Sequence, residues 1–214
     1  MTKYARRRAV VVGEAGGIGL AIAKRLVEGG ASVLLAARTA EARALAVTEL
    51  GSAARVVAPS AVAEVLAGGA ATRPDSDTRT GADTRTGTGT APRTGTGGHD
   101  RPGPRVDLLF ADAIPTARPL LPYIEDGGAI VLTSPTPCPD AVRALAAELA
   151  ARGIRVNAVA PGCIEAPGSG AVPLPPLGRL GAAEEVARAA LFLATEATFT
   201  TGARLPVDGG LARP

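Results

Sequence analysis

The sequence predicts an α/β protein built on a doubly wound parallel sheet, in a single domain that spans all 214 residues. Segments typical of strands and of helices alternate along the chain, which is the order found in such sheets. The strand segments are nearly continuous apolar runs, as expected where helices cover both faces of a parallel sheet. The first strand passes directly into a glycine-rich turn, residues 13–19, and then into an apolar pattern with helical spacing.

The alternation can be followed element by element. In the first half of the chain, strands are predicted at residues 8–12, 31–37 and 56–57, and helices at 20–28, 39–50 and 60–67. In the second half, strands are predicted at 106–110, 128–133, 154–159 and 204–207, and helices at 116–123, 140–152 and 184–195. Glycines such as Gly29 and Gly153 follow the apolar helical patterns and indicate where those helices end.

One segment does not fit the alternation. Residues 72–104 are made largely of Thr, Gly, Arg, Asp and Pro, and they contain no Val, Leu, Ile or Phe. Such a composition cannot bury a core, so we predict a disordered insertion within the domain. Lengthening a loop to this size costs only about 2 kcal/mol of closure entropy, which the fold can carry. His99, the only histidine, lies in this segment and is therefore not expected to serve as a positioned base.

Composition excludes several classes of function. Only 2% of the residues are aromatic, which argues against stacking of nucleic-acid bases, and a net charge of +3 does not by itself indicate a nucleic-acid partner. No apolar run is long enough to cross a membrane and no signal peptide is recognisable, so a cytoplasmic protein is expected. Cys138 and Cys163 can form neither a disulfide framework nor a four-ligand zinc site, and we expect two free, partly buried thiols and no metal.

The glycine-rich turn is the first motif that indicates chemistry. Gly13, Gly17 and Gly19 lie where a strand passes into a helix. Glycines allow the backbone to approach a pyrophosphate, and the start of a helix supplies N–H groups and a partial positive charge. The turn therefore predicts a dinucleotide site, while a tight turn without a ligand stays open as the alternative.

The sequence resembles the short-chain dehydrogenase/reductase family. Its turn matches the family pattern Gly-x-x-x-Gly-x-Gly, and the tail from Arg155 to Gly162 follows the family nearly residue by residue, as do residues 181–186, 192–194, 201–202 and 207–210. The resemblance implies a Rossmann-like fold, a nicotinamide cofactor, a small-molecule substrate and a homo-oligomer. It assigns cofactor contacts to Gly13, Gly17, Ile18, Gly19, Arg38, Ala111, Pro161, Gly162 and Ile164.

The end of the second strand bears on which cofactor is used. An acidic residue there would accept the ribose hydroxyls of NAD, but Ala37 stands at that position and Arg38 follows it. An arginine suits the 2′-phosphate of NADP, so NADP is favoured over NAD, with a solvent-facing Arg38 as the alternative. Two family features on the adenine side are replaced, one by Ala58-Pro59-Ser60 and one by residues 110–113.

The catalytic residues that the resemblance implies are only partly present. Family members use a Tyr proton donor, a Lys four residues later and a Ser. Ser134 is the candidate for the Ser, but the Tyr and the Lys are absent from the stretch that follows it. Tyr4 and Tyr123 each precede a strand, and they are expected at the edge of the sheet opposite to the site. Polar groups expected at the correct edge are Asp112, Thr133, Ser134, Thr136, Cys138, Cys163 and Glu165.

These observations support two hypotheses of different classes. The first is an NADP-binding oxidoreductase by descent, which interconverts carbonyls and alcohols weakly or not at all because the Tyr-Lys relay is missing. The alternative is a non-redox use of the scaffold, either as a regulatory or partner subunit or as a dehydratase or cyclase that uses the shortened loop near Cys138. A chain without function is the third hypothesis.

Overall fold

The computed structural model describes residues 3–13, 17–68, 105–165 and 173–211. The predicted insertion at 72–104 lies outside these residues. Within them, seven strands form one parallel sheet in the order β3-β2-β1-β4-β5-β6-β7. The strands are β1 (Arg8–Gly13), β2 (Ser32–Ala37), β3 (Ala54–Val57), β4 (Val106–Ala111), β5 (Ile124–Thr133), β6 (Arg155–Pro161) and β7 (Arg204–Val207). The predicted doubly wound parallel sheet is thereby confirmed.

Helices cover both faces of this sheet. They are α1 (Ile18–Glu28), α2 (Ala40–Leu50), α3 (Val62–Gly68), α4 (Ile114–Ala117), α5 (Pro139–Leu149) and α6 (Ala183–Thr195). On one face, Val11, Leu35 and Phe110 of the sheet share an apolar layer with α1, α2 and α6. On the other face, Val12 and Leu132 pack in a second layer with α3, α4 and α5. Adjacent strand residues therefore point into different layers, which explains why the strands are apolar throughout.

The structure corrects two predicted boundaries. Strand β5 begins at Ile124 and not at residue 128, because Ile124 pairs with Val106 before an irregularity shifts the register. Strand β5 therefore contains Gly127-Gly128, a glycine pair of the kind that is typical of turns. Gly127 has a φ of +80°, at the irregularity of the strand. Strand β3 likewise begins at Ala54, two residues before the predicted start.

The helix predicted at residues 116–123 is also different in the structure. Helix α4 ends at Ala117, and the chain continues as a 3₁₀-helix over Arg118–Tyr123. Pro119 and Pro122 have no N–H to donate, so a continuous α-helix over this segment would lack backbone hydrogen bonds. A further 3₁₀-turn, Ala150–Arg152, ends the α5 segment before Gly153, which has a φ of +65°.

Among the described residues, no helix combines the length and the apolar character needed to cross a membrane.

Candidate functional site

A cleft lies where the direction of the chain through the sheet reverses. From β1 the chain proceeds outward to β2 and β3, and it then returns to β4 on the other side of β1. Ligands of open parallel sheets bind beyond the carboxyl ends of the strands at such a switch point. Here the space between those ends is a cavity of about 540 Å³, which is within the usual range for small-molecule sites.

Six of the nine predicted cofactor contacts line this cleft. They are Gly13, Ile18, Gly19, Pro161, Gly162 and Ile164. Of the other three, Gly17 lies at the start of α1 and is exposed, Ala111 is fully buried at the end of β4, and Arg38 follows β2. The structure therefore brings together most of a set that the sequence distributes over 150 residues.

The backbone around Gly13 requires a residue without a side chain. Its φ is +149°, a value that L side chains rarely adopt, and a Cβ atom there would lie 2.8 Å from the Cβ of Asp112. The loop after β4 can approach the end of β1 this closely only because Gly13 has no side chain. The glycine thus leaves the space in front of β1 open to the cleft.

The start of α1 has the character of an anion site. Gly17 is the N-cap residue, no side chain caps the helix, and its first turn contains no acidic residue. The first N–H groups of a helix have no partner within it, and the helix dipole favours negative charge at this end. A phosphate group is the type of ligand that such an end accepts.

Arg38 and Asp112 form an ion pair beside the cleft. The guanidinium of Arg38 donates a hydrogen bond to Oδ2 of Asp112. The Asp112 carboxyl lines the cleft, and its buried Oδ1 has no hydrogen-bond partner among the described residues. The sequence predicts Asp112 at this edge, but nothing in it indicates the pairing with Arg38.

The turn after β2 holds Arg38 in place. Arg43 donates hydrogen bonds to the carbonyl oxygens of Ala37 at 3.1 Å and of Arg38 at 2.9 Å. Thr39 caps α2 by accepting a hydrogen bond from the N–H of Ala42. Within the first turn of α2, hydrogen bonds from its own N–H and from Thr39 lower the pKa of Glu41 below its usual value.

The end of β5 contributes a threonine to the cleft. Thr133 lines it and donates a hydrogen bond to the carbonyl oxygen of Ala111 at 3.4 Å, and Pro135 lines it as well. Ser134, the predicted catalytic residue, lies between these two, is half-buried and is not among the residues that line the cleft. Ser134 is therefore adjacent in the chain to two residues that line the cleft. Thr133 is the residue whose hydroxyl lines it.

Both tyrosines of the sequence lie at the amino edge of the sheet, as predicted. Tyr4 precedes β1, donates its backbone N–H to the carbonyl of Gly29 at 2.7 Å, and places its ring over that glycine. Tyr123 immediately precedes β5 and packs on the α3–α5 side of the core. Neither residue lines the cleft.

The two lysines are also engaged elsewhere. Lys3 forms an ion pair with Glu196 at 2.5 Å, and this hydrogen bond raises the pKa of Lys3 above its usual value. Lys24, in the middle of α1, pairs with Glu49 of α2 at 2.7 Å. Because these are all the lysines in the sequence, no ammonium group lies at the carboxyl ends of β4 and β5.

The remaining polar groups expected at the carboxyl edge do not line the cleft. These are Thr136, Cys138, Cys163 and Glu165. Both thiols are free, as expected, although Cys138 is exposed and only Cys163 is half-buried. Cys163 instead borders a second cavity of about 330 Å³ next to Arg179 and Glu185. There the guanidinium of Arg179, together with the N–H of Ala182, lowers the pKa of Glu185 to about 2.

The family-like tail serves to fix the last elements against the sheet. Arg155 donates to the carbonyls of Leu193, Ala194 and Ala197 at the end of α6. Asn157, which is 1% exposed, bonds the carbonyl of Thr200 at 2.9 Å and the N–H of Ala203 at 3.0 Å. These contacts hold β7 beside β6.

Comparisons with known proteins agree with this architecture. A family model described as short chain dehydrogenase matches residues 7–64, and one described as enoyl-(acyl carrier protein) reductase matches residues 138–212. The chain is 50% identical over 76 residues to the 3-oxoacyl-(acyl-carrier-protein) reductase FabG of Thermotoga maritima, with 31% of each chain covered. It is 49% identical over 80 residues to a galactitol 2-dehydrogenase (L-tagatose-forming) of Cereibacter sphaeroides, with 32% of each covered. These matches span about a third of the length of the curated relatives.

Solved structures extend the likeness over the whole fold. A short chain dehydrogenase/reductase family protein superimposes with a TM-score of 0.68 at 26% identity, covering 97% of this chain and 98% of the other. A short-chain dehydrogenase/reductase from Serratia marcescens, 19% identical, has the same fold with a TM-score of 0.70 and coverage of 99% and 100%. The order of the strands, the glycine turn at the switch point and the matches at both ends of the chain lead to one conclusion: this chain belongs to the short-chain dehydrogenase/reductase family.

Proposed function

We propose that this protein binds NADP in the cleft between β1 and β4 and is an oxidoreductase by descent, with weak or absent transfer of hydride between carbonyl and alcohol carbons. The observation that carries the proposal is the cleft itself. It combines the uncapped start of α1 with a glycine that leaves the end of β1 open. Both features suit a pyrophosphate bound against backbone N–H groups.

The residues around the cleft fit the parts of a dinucleotide. The turn at residues 13–19 would hold the pyrophosphate, Arg38 the adenosine end, and Pro161, Gly162 and Ile164 the nicotinamide end. When bound, the nicotinamide would supply the hydride chemistry. The protein would orient the dinucleotide and exclude water with the apolar side chains of Ile18 and Ile164.

The side chains after β2 favour NADP over NAD. Ala37 is buried and carries no carboxylate that could accept two ribose hydroxyls, whereas Arg38 offers a guanidinium. A charge-assisted hydrogen bond from Arg38 to the 2′-phosphate would contribute about 1.5 to 3 kcal/mol to the free energy of binding. The lower end of this range applies here, because the Arg38 side chain is about half exposed.

Weak catalysis is proposed because the described lining of the cleft offers no efficient proton donor. Of the described residues that line it, Asp112 and Thr133 are the ones with an ionisable or hydroxyl side chain. The Asp112 carboxylate is ion-paired with Arg38, and the Thr133 hydroxyl, which is a weak acid, donates to the carbonyl oxygen of Ala111. The loss of a positioned proton donor slows such reactions by about 10²- to 10⁴-fold.

Titration of the protein with NADPH and with NADH tests the cofactor site. We expect a shift of reduced-nicotinamide fluorescence on binding, with NADPH bound more tightly. In Arg38→Ala, NADPH affinity should fall about 10- to 30-fold while NADH affinity changes by less than about threefold. Micromolar NADPH that gives neither a fluorescent nor a calorimetric signal would refute the proposed site.

Turnover with a panel of ketones and aldehydes separates the proposal from its alternative. A typical enzyme turns over about 10 times per second. Because a missing proton donor slows such reactions at least about 100-fold, we expect a turnover number below about 0.1 per second here. The residual rate should persist in Tyr4→Phe, because that ring lies at the opposite edge. Dinucleotide binding with no hydride transfer to any substrate would favour the non-redox use of the scaffold, and turnover near 10 per second would contradict the proposed weak catalysis.

A cytoplasmic location and a homo-oligomeric state stay predictions, as do the small-molecule substrate and the absence of a nucleic-acid partner.

A further inference from the structure

We infer that Asp112 is a specificity-determining residue of this cleft, because its carboxylate binds Arg38 and competes for it with the 2′-phosphate of a dinucleotide. The inference rests on the proposed function, since it concerns the same cleft. It assigns to Asp112 a role in discriminating between NADP and NAD.

The sheet order places this ion pair across the end of β1. Arg38 follows β2 and Asp112 follows β4, and β1 lies between these two strands. The Arg38–Asp112 pair therefore spans the strand that leads into the glycine turn. Any ligand that seats its pyrophosphate on this turn must extend its adenosine end beside the pair.

Asp112 is the fixed partner of the two. Its backbone N–H donates to the carbonyl of Val12 at 3.2 Å, and its Cβ lies close to the position where a side chain on Gly13 would begin. Its side chain is 20% exposed, against 53% for Arg38. A ligand can therefore draw the long guanidinium side chain away more easily than it can move the carboxylate.

Drawing Arg38 away would leave the Asp112 carboxylate poorly compensated. Within the described part of the chain, Oδ1 of Asp112 already lacks a hydrogen-bond partner, and Oδ2 is the atom that accepts from Arg38. A 2′-phosphate carries a charge of about −1.5 to −2 and would take the guanidinium in charge-assisted hydrogen bonds of its own. A ribose without this phosphate leaves the pair intact. Asp112 thus weakens the binding of NADP but not that of NAD. It therefore reduces the preference for NADP over NAD that Arg38 creates.

A double-mutant cycle between the two residues tests this inference. The dissociation constants of NADPH and NADH are measured for the wild type, Asp112→Asn, Arg38→Ala and the double variant. We expect Asp112→Asn to tighten NADPH about five- to tenfold and to change NADH by less than about twofold. In the Arg38→Ala background the same substitution should change NADPH affinity by less than about twofold, because there is no guanidinium to release.

Asp126→Asn is the matched control. It also removes an aspartate paired with an arginine, Arg152, but this pair lies at the amino end of β5. We expect it to leave both affinities unchanged. As a second readout, 2′,5′-ADP should raise the thermal unfolding midpoint more in Asp112→Asn than in the wild type, while 5′-AMP should raise both equally.

The outcomes separate this inference from the proposed function. If neither dinucleotide binds the wild type, the cleft is not a dinucleotide site and both conclusions are overturned. If the dinucleotides bind but Asp112→Asn tightens NADPH equally with and without Arg38, Asp112 acts only through general repulsion. In that case competition for Arg38 is refuted while the proposed function stands.

Discussion

Gly13→Ala is expected to weaken NADPH binding at least about 100-fold, equivalent to about 2.7 kcal/mol. The added Cβ would lie 2.8 Å from the Cβ and 3.0 Å from the Cγ of Asp112, and the φ of +149° is one that alanine rarely adopts. The end of β1 must therefore move relative to the loop after β4, and the glycine turn moves with it. Fluorescence titration with NADPH, together with thermal unfolding, measures both consequences.

Gly127→Ala is the control for this substitution. Gly127 also has a positive φ, +80°, but nothing lies within 4 Å of the position its Cβ would take. It is in the amino half of β5, away from the cleft. This variant should lose about 1 kcal/mol of stability through backbone strain and should keep its NADPH affinity. Unchanged NADPH affinity in Gly13→Ala would contradict the placement of the pyrophosphate at the turn.

Asn157→Ala is expected to lower the free energy of unfolding by about 3 kcal/mol. The substitution leaves the carbonyl of Thr200 and the N–H of Ala203 without their side-chain partner, at a position that is 1% exposed. For a chain of this length, such a loss lowers the thermal midpoint by about 6 to 12 °C. Chemical denaturation followed by circular dichroism measures the change directly.

Thr201→Ala provides the comparison. Its hydroxyl accepts a hydrogen bond from the N–H of Val156 at 3.0 Å and donates a long one to the carbonyl oxygen of Val156 at 3.5 Å, and the residue is exposed. Its cost should therefore be about 1 kcal/mol or less. Below its unfolding transition, Asn157→Ala should bind NADPH as the wild type does, because Asn157 does not line the cleft. An equal loss of unfolding free energy in Asn157→Ala and Thr201→Ala would show that the buried amide of Asn157 does not hold β6 against the segment before β7.

The sequence was sufficient to predict the architecture, because each signal is local. Continuous apolar runs indicated strands buried on both faces, and Gly29 and Gly153 indicated where helices end. The start of β5 was not predictable in this way. Its glycine pair, Gly127-Gly128, has the composition of a turn, and only pairing between Ile124 and Val106 extends the strand past it.

The cleft was predicted in part for a similar reason. Gly13 and Gly19 belong to a recognisable local pattern, and the structure places both at the cleft. The Arg38–Asp112 pair joins residues 74 positions apart, which follow two strands that are not neighbours in the sheet. Nothing in the sequence near either residue indicates the other. Likewise, the sequence does not indicate that Thr133 lines the cleft and that Ser134, the next residue, does not.

The family-like tail has a structural role that its similarity alone does not reveal. Arg155 donates to carbonyls at and just after the end of α6, Asn157 bonds a carbonyl and an N–H of the segment that joins α6 to β7, and neither residue lines the cleft. Burial of the Arg155 guanidinium lowers its pKa below the usual value, although three carbonyl oxygens accept its hydrogen bonds. Resemblance at Arg155 and Asn157 is consequently evidence for the fold and not for the reaction.

The proposed function requires a dinucleotide bound at the turn after β1, in a cleft from which both tyrosines are remote. The most direct measurement is a crystal structure of the protein grown with NADPH. We predict the pyrophosphate against residues 13–19, the 2′-phosphate beside Arg38, and both tyrosine hydroxyls at the opposite edge of the sheet. A dinucleotide bound elsewhere, or a tyrosine hydroxyl within hydrogen-bond distance of the nicotinamide, would contradict it.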